Sequence, residues 1–295
     1  MDIQIVDGSS QDSNNVITLE DGDDCESTKM EEPDEFTLIT WNIDGLSDKN
    51  LSIRTKGACD IVNKIKTDVV FFQEVVPESE SIISRMLTDY KLIYGRTGDQ
   101  YIGEYYTVTC LREKTVKHLD HKIIDFEYTD MGRNIIDVNA IISGTKLRFL
   151  NTHLESTREG AINRQRQLQK CFQLVNSSPQ DVSVLFGGDL NLRDTEVTSL
   201  GGPNSKIKDV WQLTGSRKEC QFTWDMTRND NLKLEAMGRN GFKPRFRFDR
   251  LYFRDSIPSE IAPEYFGLIG IERLKPHVCF PSDHWGILAA FKFLK

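Results

Sequence analysis

The stretch Val182-Ser183-Val184-Leu185-Phe186-Gly187-Gly188-Asp189-Leu190-Asn191-Leu192-Arg193-Asp194 decides how the chain is read. Its continuous β-branched and apolar run suits a strand covered on both faces. After two glycines the run ends in Asp189 and Asn191, which places a carboxylate and an amide at the rim of a sheet. The same device recurs three times. Leu38 to Trp41 ends in Asn42 and Asp44, Val69 to Phe72 ends in Gln73 and Glu74, and Leu147 to Thr152 ends in His153. Any one of these polar groups is ordinary as a turn former or helix cap. Four strands delivering such groups point to a shared rim that carries chemistry.

Working outward, further strands are predicted over Tyr105 to Leu111, Ile135 to Ile142, Phe246 to Phe253 and Trp285 to Phe293. Helices are expected around Ala58, Ile61, Val62 and Ile65, around Ile82, Ile83, Met86 and Leu87, and around Ile162, Leu168, Phe172 and Val175. Arg158, Arg164, Arg166 and Lys170 read as the solvated face of the third helix. No Pro- or Gly-rich linker divides the chain after Phe36, so residues 36–295 are expected to form one domain.

The 295 residues are 28% charged and 38% hydrophobic, which excludes collagen, a membrane channel and a wholly disordered polymer. No apolar run approaches the ~18 residues of a membrane span, and nothing at the start reads as a signal peptide. The six cysteines are scattered without a CxxC pair, as expected of reduced thiols. The net charge of −8 is unevenly placed. Residues 1–35 carry twelve acidic side chains and one lysine, a balance of −11, so the remainder carries +3. An acidic total is therefore no argument against a phosphate-rich partner.

The acidic tail is expected to be disordered when alone. It holds two β-branched islands, Ile3-Gln4-Ile5-Val6 and Val16-Ile17-Thr18-Leu19, each followed by acidic residues. Such a tetrad can add as a strand to a partner's sheet edge. Ile3, Ile5, Val6, Val16, Ile17 and Leu19 thus resemble SUMO-interacting motifs, with an inert linker as the alternative.

The rim groups form a hard oxygen-donor set with histidine and no thiolate, which suits Mg²⁺ beside a phosphate. The chemistry this suggests is attack on phosphorus.

The segments Thr40-Trp41-Asn42-Ile43-Asp44-Gly45-Leu46, Gln73-Glu74-Val75, His153-Leu154-Glu155-Ser156-Thr157, Gly188-Asp189-Leu190-Asn191, Phe248-Asp249-Arg250 and Ser282-Asp283-His284-Trp285-Gly286 follow the order of the exonuclease-endonuclease-phosphatase superfamily. Within it, the chain resembles the 5′-tyrosyl-DNA phosphodiesterases of the second type. The resemblance implies an α/β fold of two packed mixed β-sheets flanked by helices, DNase I-like. It implies Mg²⁺, replaceable by Mn²⁺, and hydrolysis of the 5′-phosphotyrosyl bond left by a trapped type II topoisomerase. It further implies a monomeric, chiefly nuclear DNA-repair enzyme, with the cytoplasm as a second compartment and no membrane partner. Relatives often carry a ubiquitin-binding helical domain ahead of the catalytic part, which residues 1–35 do not match.

Carried over residue by residue, Glu74 ligates the metal and Asn42 holds a metal water or phosphate oxygen. Asp189 activates the attacking water, with Asn191 beside it. His284 and His153 donate to the phosphoryl oxygens, and Asp249 fixes the tautomer of His284. Arg193, Trp224, Tyr105, Arg133, Arg247 and Ser282 are the expected DNA contacts. Rival activities on the same scaffold are an apurinic-site endonuclease, a deadenylase or an inositol-phosphate phosphatase. From another class, the chain could be a SUMO-dependent adaptor with an inactive core.

Overall fold

The computed structural model describes residues 30–96, 105–231 and 241–294. In chain order these form β1 (Glu35–Asn42), α1 (Leu51–Ile65), β2 (Val69–Val75), α2 (Pro77–Met86), β3 (Tyr90–Tyr94), β4 (Tyr106–Arg112), β5 (Lys117–Asp125), β6 (Asn134–Ile142) and β7 (Thr145–His153). There follow α3 (Ala161–Asn176), β8 (Ser183–Asp189), α4 (Asp194–Ser199), β9 (Ile207–Asp209), α5 (Val210–Leu213), β10 (Trp224–Asp225), β11 (Arg245–Phe246), β12 (Asp249–Arg254), β13 (Ile261–Ile269) and β14 (Gly286–Phe293). Two six-stranded sheets result, in the orders β13-β14-β1-β2-β4-β3 and β5-β6-β7-β8-β12-β9. The pair β10-β11 stands apart as a small ribbon.

Three apolar clusters fix the layers. Phe36, Leu38, Phe71, Ile287 and Phe291 of the first sheet meet Ile136, Val138, Phe149, Leu185 and Leu251 of the second. Phe149 packs edge-on to both Phe36 and Phe71, with ring centroids 6.5 and 6.4 Å apart. The outer face of the first sheet, with Ile39, Trp41, Val70 and Phe72, is covered by Ala58 and Val62 of α1 and Ile83 of α2. The outer face of the second, with Leu150, Val184, Phe186 and Tyr252, is covered by Leu168, Phe172 and Val175 of α3. The order helix, sheet, sheet, helix is the expected α/β sandwich. Strands buried on both faces explain why several of the runs are apolar without alternation.

A buried polar bridge crosses between the sheets. Gln73 on β2 donates to Asn151 on β7 at 3.0 Å, and Asn151 donates back to the carbonyl of Val108 on β4 at 3.0 Å. Both side chains are fully buried. Asn151→Ala should therefore cost about 1–3 kcal/mol, because both hydrogen bonds between the layers are lost at a fully buried site, and Gln73 Nε2 keeps only Thr40 Oγ1 and the Phe71 carbonyl of its own sheet. Chemical denaturation measures this, and a loss below about 0.5 kcal/mol would show that the bridge does not hold the layers.

Several expectations need revision. The run from Phe246 to Phe253 is broken at Arg247 and Phe248 into β11 and β12. The edge strand β5 and the outer strand β13 were not predicted; β5 is largely charged and exposed, and β13 contains Pro263 and Gly267. Ile162 points into solvent, 66% exposed, so α3 buries its apolar face only from Leu168 onward. Arg164, expected on a solvated face, is fully buried and pairs with Glu196 at 2.5 Å. Within the acidic segment, Glu31 already bonds to the carbonyl of Lys114, and Ser143 bonds to the carbonyl of Pro33. The apolar islands at Ile3, Ile5, Val6, Val16, Ile17 and Leu19 lie outside the described residues.

Candidate active site

Strand pairing brings the polar termini together. β1 and β2 run parallel with Asn42 opposite Gln73, and β7 and β8 run parallel with His153 opposite Asp189. β12 runs antiparallel to β8, which sets Asp249 opposite Asp189. His284 lies just before β14, the neighbour of β1, and its carbonyl accepts from Trp41 Nε1 at 3.0 Å. One end of the sandwich therefore collects groups from both sheets.

Glu74 reaches this end through a local irregularity. Its φ is +56°, and pairing with β4 loses register between Phe72 and Val75. Gly45 makes room, since a Cβ there would lie 1.9 Å from the Glu74 carbonyl oxygen.

Asn42 sits between the two acids. Its Nδ2 donates to Glu74 Oε1 at 2.9 Å and to Asp189 Oδ2 at 3.0 Å. Its Oδ1 accepts from the Asp44 backbone N–H at 2.9 Å. The amide therefore faces the acids with its nitrogen, which cannot ligate a cation directly but can donate to a water or a phosphate oxygen as well as to the acids. In this structure Asn42 orients Glu74 and Asp189.

Asp189 is the focus. Its Oδ1 accepts from the Asn191 backbone N–H at 3.0 Å, while His153 Nε2 and His284 Nε2 lie 3.4 and 3.8 Å from Oδ2. Burial works against ionisation, yet His153, His284 and the Asn42 amide together hold this carboxyl below the usual carboxylate range.

The two histidines are held in opposite states. Arg133 Nη1 lies 3.0 Å from His153 Nδ1, and a guanidinium can only donate. His153 is therefore neutral with its proton on Nε2, and burial with the Arg133 charge keeps it below its ordinary pKa. At His284, burial is outweighed by Asp249, Asp189 and Asp283, which lift the imidazole well above its usual value. His284 Nδ1 donates to Asp249 Oδ2 at 2.8 Å, which leaves Nε2 facing Asp189.

The residues present fit a hard divalent cation. Glu74 and Asp189 each place a carboxylate oxygen within 4.8 Å of the other, with His153 equally close but holding its proton on Nε2. Burial and the neighbouring Asp283 push Glu74 above the carboxylate range, and burial with Asp283 pushes Asp44 up to about 8 despite Arg54. Crowded carboxylates short of positive charge are what a bound cation relieves.

The sequence profile of the Endonuclease/Exonuclease/phosphatase family matches residues 39–284. The chain belongs to this family. Within the family, tyrosyl-DNA phosphodiesterase 2 of Gallus gallus is 42% identical over 259 residues, covering 87% of this chain and 66% of the relative. The Homo sapiens protein of that name is 40% identical over 266 residues, covering 89% and 70%. A crystal structure of Danio rerio tyrosyl-DNA phosphodiesterase 2 with a single-strand DNA product superposes with a TM-score of 0.82 at 34% identity, covering 88% of this chain and all of that one. The chain thus spans about two thirds of the curated relatives' length. It falls within the tyrosyl-DNA phosphodiesterase 2 branch of the family and is an enzyme of the phosphoric diester hydrolase class.

The structure separates the expected DNA contacts into two groups and adds Phe246 and Phe248, which were not among them, to the first. Trp224, Phe246 and Phe248 lie together, with centroids 4.7 to 5.8 Å apart, and Arg193 lies 5.6 Å over Phe248. Phe248 is 6.4 Å from the His284 ring, so this wall borders the acids. Tyr105 lies on the other side, under Arg133 at 4.8 Å and 6.0 Å from the His153 ring. Two expectations are corrected. Ser282 is fully buried, donating to the Asn42 carbonyl at 2.6 Å and accepting from the His284 N–H at 3.1 Å, so it braces the site from beneath. Arg247 is buried against Asp209 at 2.5 Å and Asp194 at 3.3 Å, with its charge already matched.

The sequence reading missed Arg54 and Glu155 as site builders. Arg54 is buried on α1 and donates to the carbonyls of Ile43, Asp44, Ser47 and Lys49, which fixes the loop after Asn42. Its signal was a charge within the apolar stripe that Leu51 and Ala58 define. Glu155 Oε1 accepts from Thr129 Oγ1 and the N–H groups of Asp130 and Met131, which holds the loop that presents Arg133 to His153.

Proposed function

We propose that this chain hydrolyses the diester between a tyrosine phenol and the 5′-phosphate of DNA, with Mg²⁺ as cation and Mn²⁺ as substitute. The observation that carries this reading is an ionised Asp189 fixed by Asn42 and Asn191 beside an aromatic and cationic wall. The solved relative bound to single-strand DNA supports DNA as the partner.

In this reading, Trp224, Phe246 and Phe248 receive sugar or base, and Arg193 and Arg133 attract the phosphate from two sides. Asp189 holds the attacking water in line and accepts its proton. A carboxylate held below its ordinary pKa is a weak base, and this suffices because a phenol, with a pKa near ~10, leaves without prior protonation. His284 donates as a cation, and His153 as a neutral N–H, to the phosphoryl oxygens as charge builds there. Glu74 would hold the cation, which when bound neutralises phosphate charge and polarises the phosphoryl group. Asp249 keeps the His284 proton on Nδ1, so that its second N–H points at the substrate.

The role that follows is removal of trapped topoisomerase II from broken DNA in the nucleus, by a monomer, with the tail as a SUMO contact. Release of tyrosine from a 5′-phosphotyrosyl oligonucleotide, with the internal backbone intact and dependence on added Mg²⁺, is the expected result. Preferential cutting at abasic sites, or of an adenylate tail, would replace this reading by a rival activity. Removing residues 1–29 should leave tyrosine release on naked DNA unchanged and abolish any binding to SUMO. A large loss of activity would show that the tail serves catalysis.

A further inference from the structure

Among the described residues, the outermost strand of the second sheet carries two histidines that hydrolysis does not use. His118 and His121 lie on β5, three residues apart, where a regular strand would turn them to opposite faces. A bulge prevents this. His118 stands opposite Ala140, Asp120 opposite Asn139 and His121 opposite Val138, so Leu119 is the extra residue. Both imidazoles therefore share the face of Ala140 and Val138, which looks toward the first sheet. Their ring centroids are 5.2 Å apart, and His118 Nε2 lies 3.2 Å from His121 Nδ1. His118 is half-buried and His121 exposed, so solvent ions can reach both.

We propose that His118 and His121 form a second cation site, separate from the hydrolytic centre, for a borderline transition metal of the Cu²⁺, Ni²⁺ or Zn²⁺ class. Two nitrogens at the usual ~2.0–2.1 Å from such an ion stand roughly 3.3 Å apart at a tetrahedral angle and roughly 2.9 Å apart at a right angle. The observed 3.2 Å lies between these, so the pair closes on an ion with little movement. Imidazole prefers this class over Mg²⁺, which keeps the two sites chemically distinct. Asp120 takes no part, because it lies on the opposite face and accepts from Asn139 Nδ2 at 2.7 Å. Water completes the coordination. Burial and the nearby Lys91 and His121 hold His118 below the ordinary imidazole pKa, which frees its lone pair at neutral pH. The charge of Lys91 also opposes a divalent ion, so the site binds in an exchangeable rather than a permanent manner.

The test is a Cu²⁺ titration of the full chain in excess Mg²⁺, followed by equilibrium dialysis and electron paramagnetic resonance. Cu²⁺ serves as probe because it heads the affinity order for nitrogen ligands. The wild-type protein should bind one more equivalent than a His118→Ala/His121→Ala double variant, with a two-nitrogen signature, and each single variant should lose that signature. Tyrosine release with Mg²⁺ and the unfolding midpoint should stay unchanged in the double variant, which confirms that the fold and the first site are intact. Equal stoichiometry in wild type and double variant, or an unchanged signature in either single variant, would reduce the pair to two hydrogen-bonded imidazoles and overturn the proposal.

Discussion

Asp189→Asn should slow release of tyrosine from a 5′-phosphotyrosyl oligonucleotide by about 10²-fold or more, the scale of a positioned acid-base group. The side chain keeps its size, so the acceptor position for the Asn191 N–H can be retained. What changes is the second oxygen. It now accepts from Asn42 Nδ2 at 3.0 Å and lies 3.4 Å from His153 Nε2. An amide nitrogen there would face two donors and could take no proton from water. Single-turnover kinetics should show the loss in kcat, with DNA affinity and the unfolding midpoint nearly unchanged. Turnover near the wild-type level would remove Asp189 from the base role and shift attention to Glu74.

The second large effect concerns the preceding residue and has a different cause. Gly188 adopts a φ of +140°, and a Cβ there would lie 1.8 Å from the Thr152 carbonyl oxygen on the neighbouring strand. No side-chain rotation relieves a contact with backbone, so β7 and β8 would have to separate where they pair in parallel. Gly188→Ala should therefore lower stability by about 4 kcal/mol or more, or prevent folding altogether. In a domain this large that corresponds to a fall in Tm of roughly 10 °C or more. A calorimetric shift below about 2 °C would show that the strands accommodate the methyl group, contrary to this account. Adjacent residues thus fail in separable ways, one in chemistry and the other in folding.

How much was legible beforehand follows from how local each signal is. Asn42, Glu74, His153 and Asp189 could be found because each ends an apolar run, and the run and its terminus are contiguous in sequence. The three covering helices were legible for the same reason. What escaped depends on remote partners. Arg247 looks like a DNA contact beside other basic residues, but Asp209, 38 positions away, takes its charge. Arg164 looks solvated until Glu196 arrives 32 positions later. Ser282 sits in a recognisable motif, yet only the return of the chain beside β1 reveals that its hydroxyl holds the Asn42 carbonyl. The orientation of the Asn42 amide was likewise invisible, since it is set by the Asp44 N–H and two acids from different strands. β5 gave no pattern because an exposed edge with a bulge keeps neither a period of two nor an apolar face.

The layer of phenylalanines between the sheets has a mechanical consequence. Asn42, Glu74 and His284 ride on one slab, whereas His153, Asp189 and Asp249 ride on the other. Their separation is thus calibrated by the thickness of oily filling some distance beneath them. Trimming Phe149, which wedges between Phe36 and Phe71, would let the slabs settle closer or slide. Reaction rate in such a machine is a gauge of interior packing, and it would drift out of tune while the molecule still looked folded.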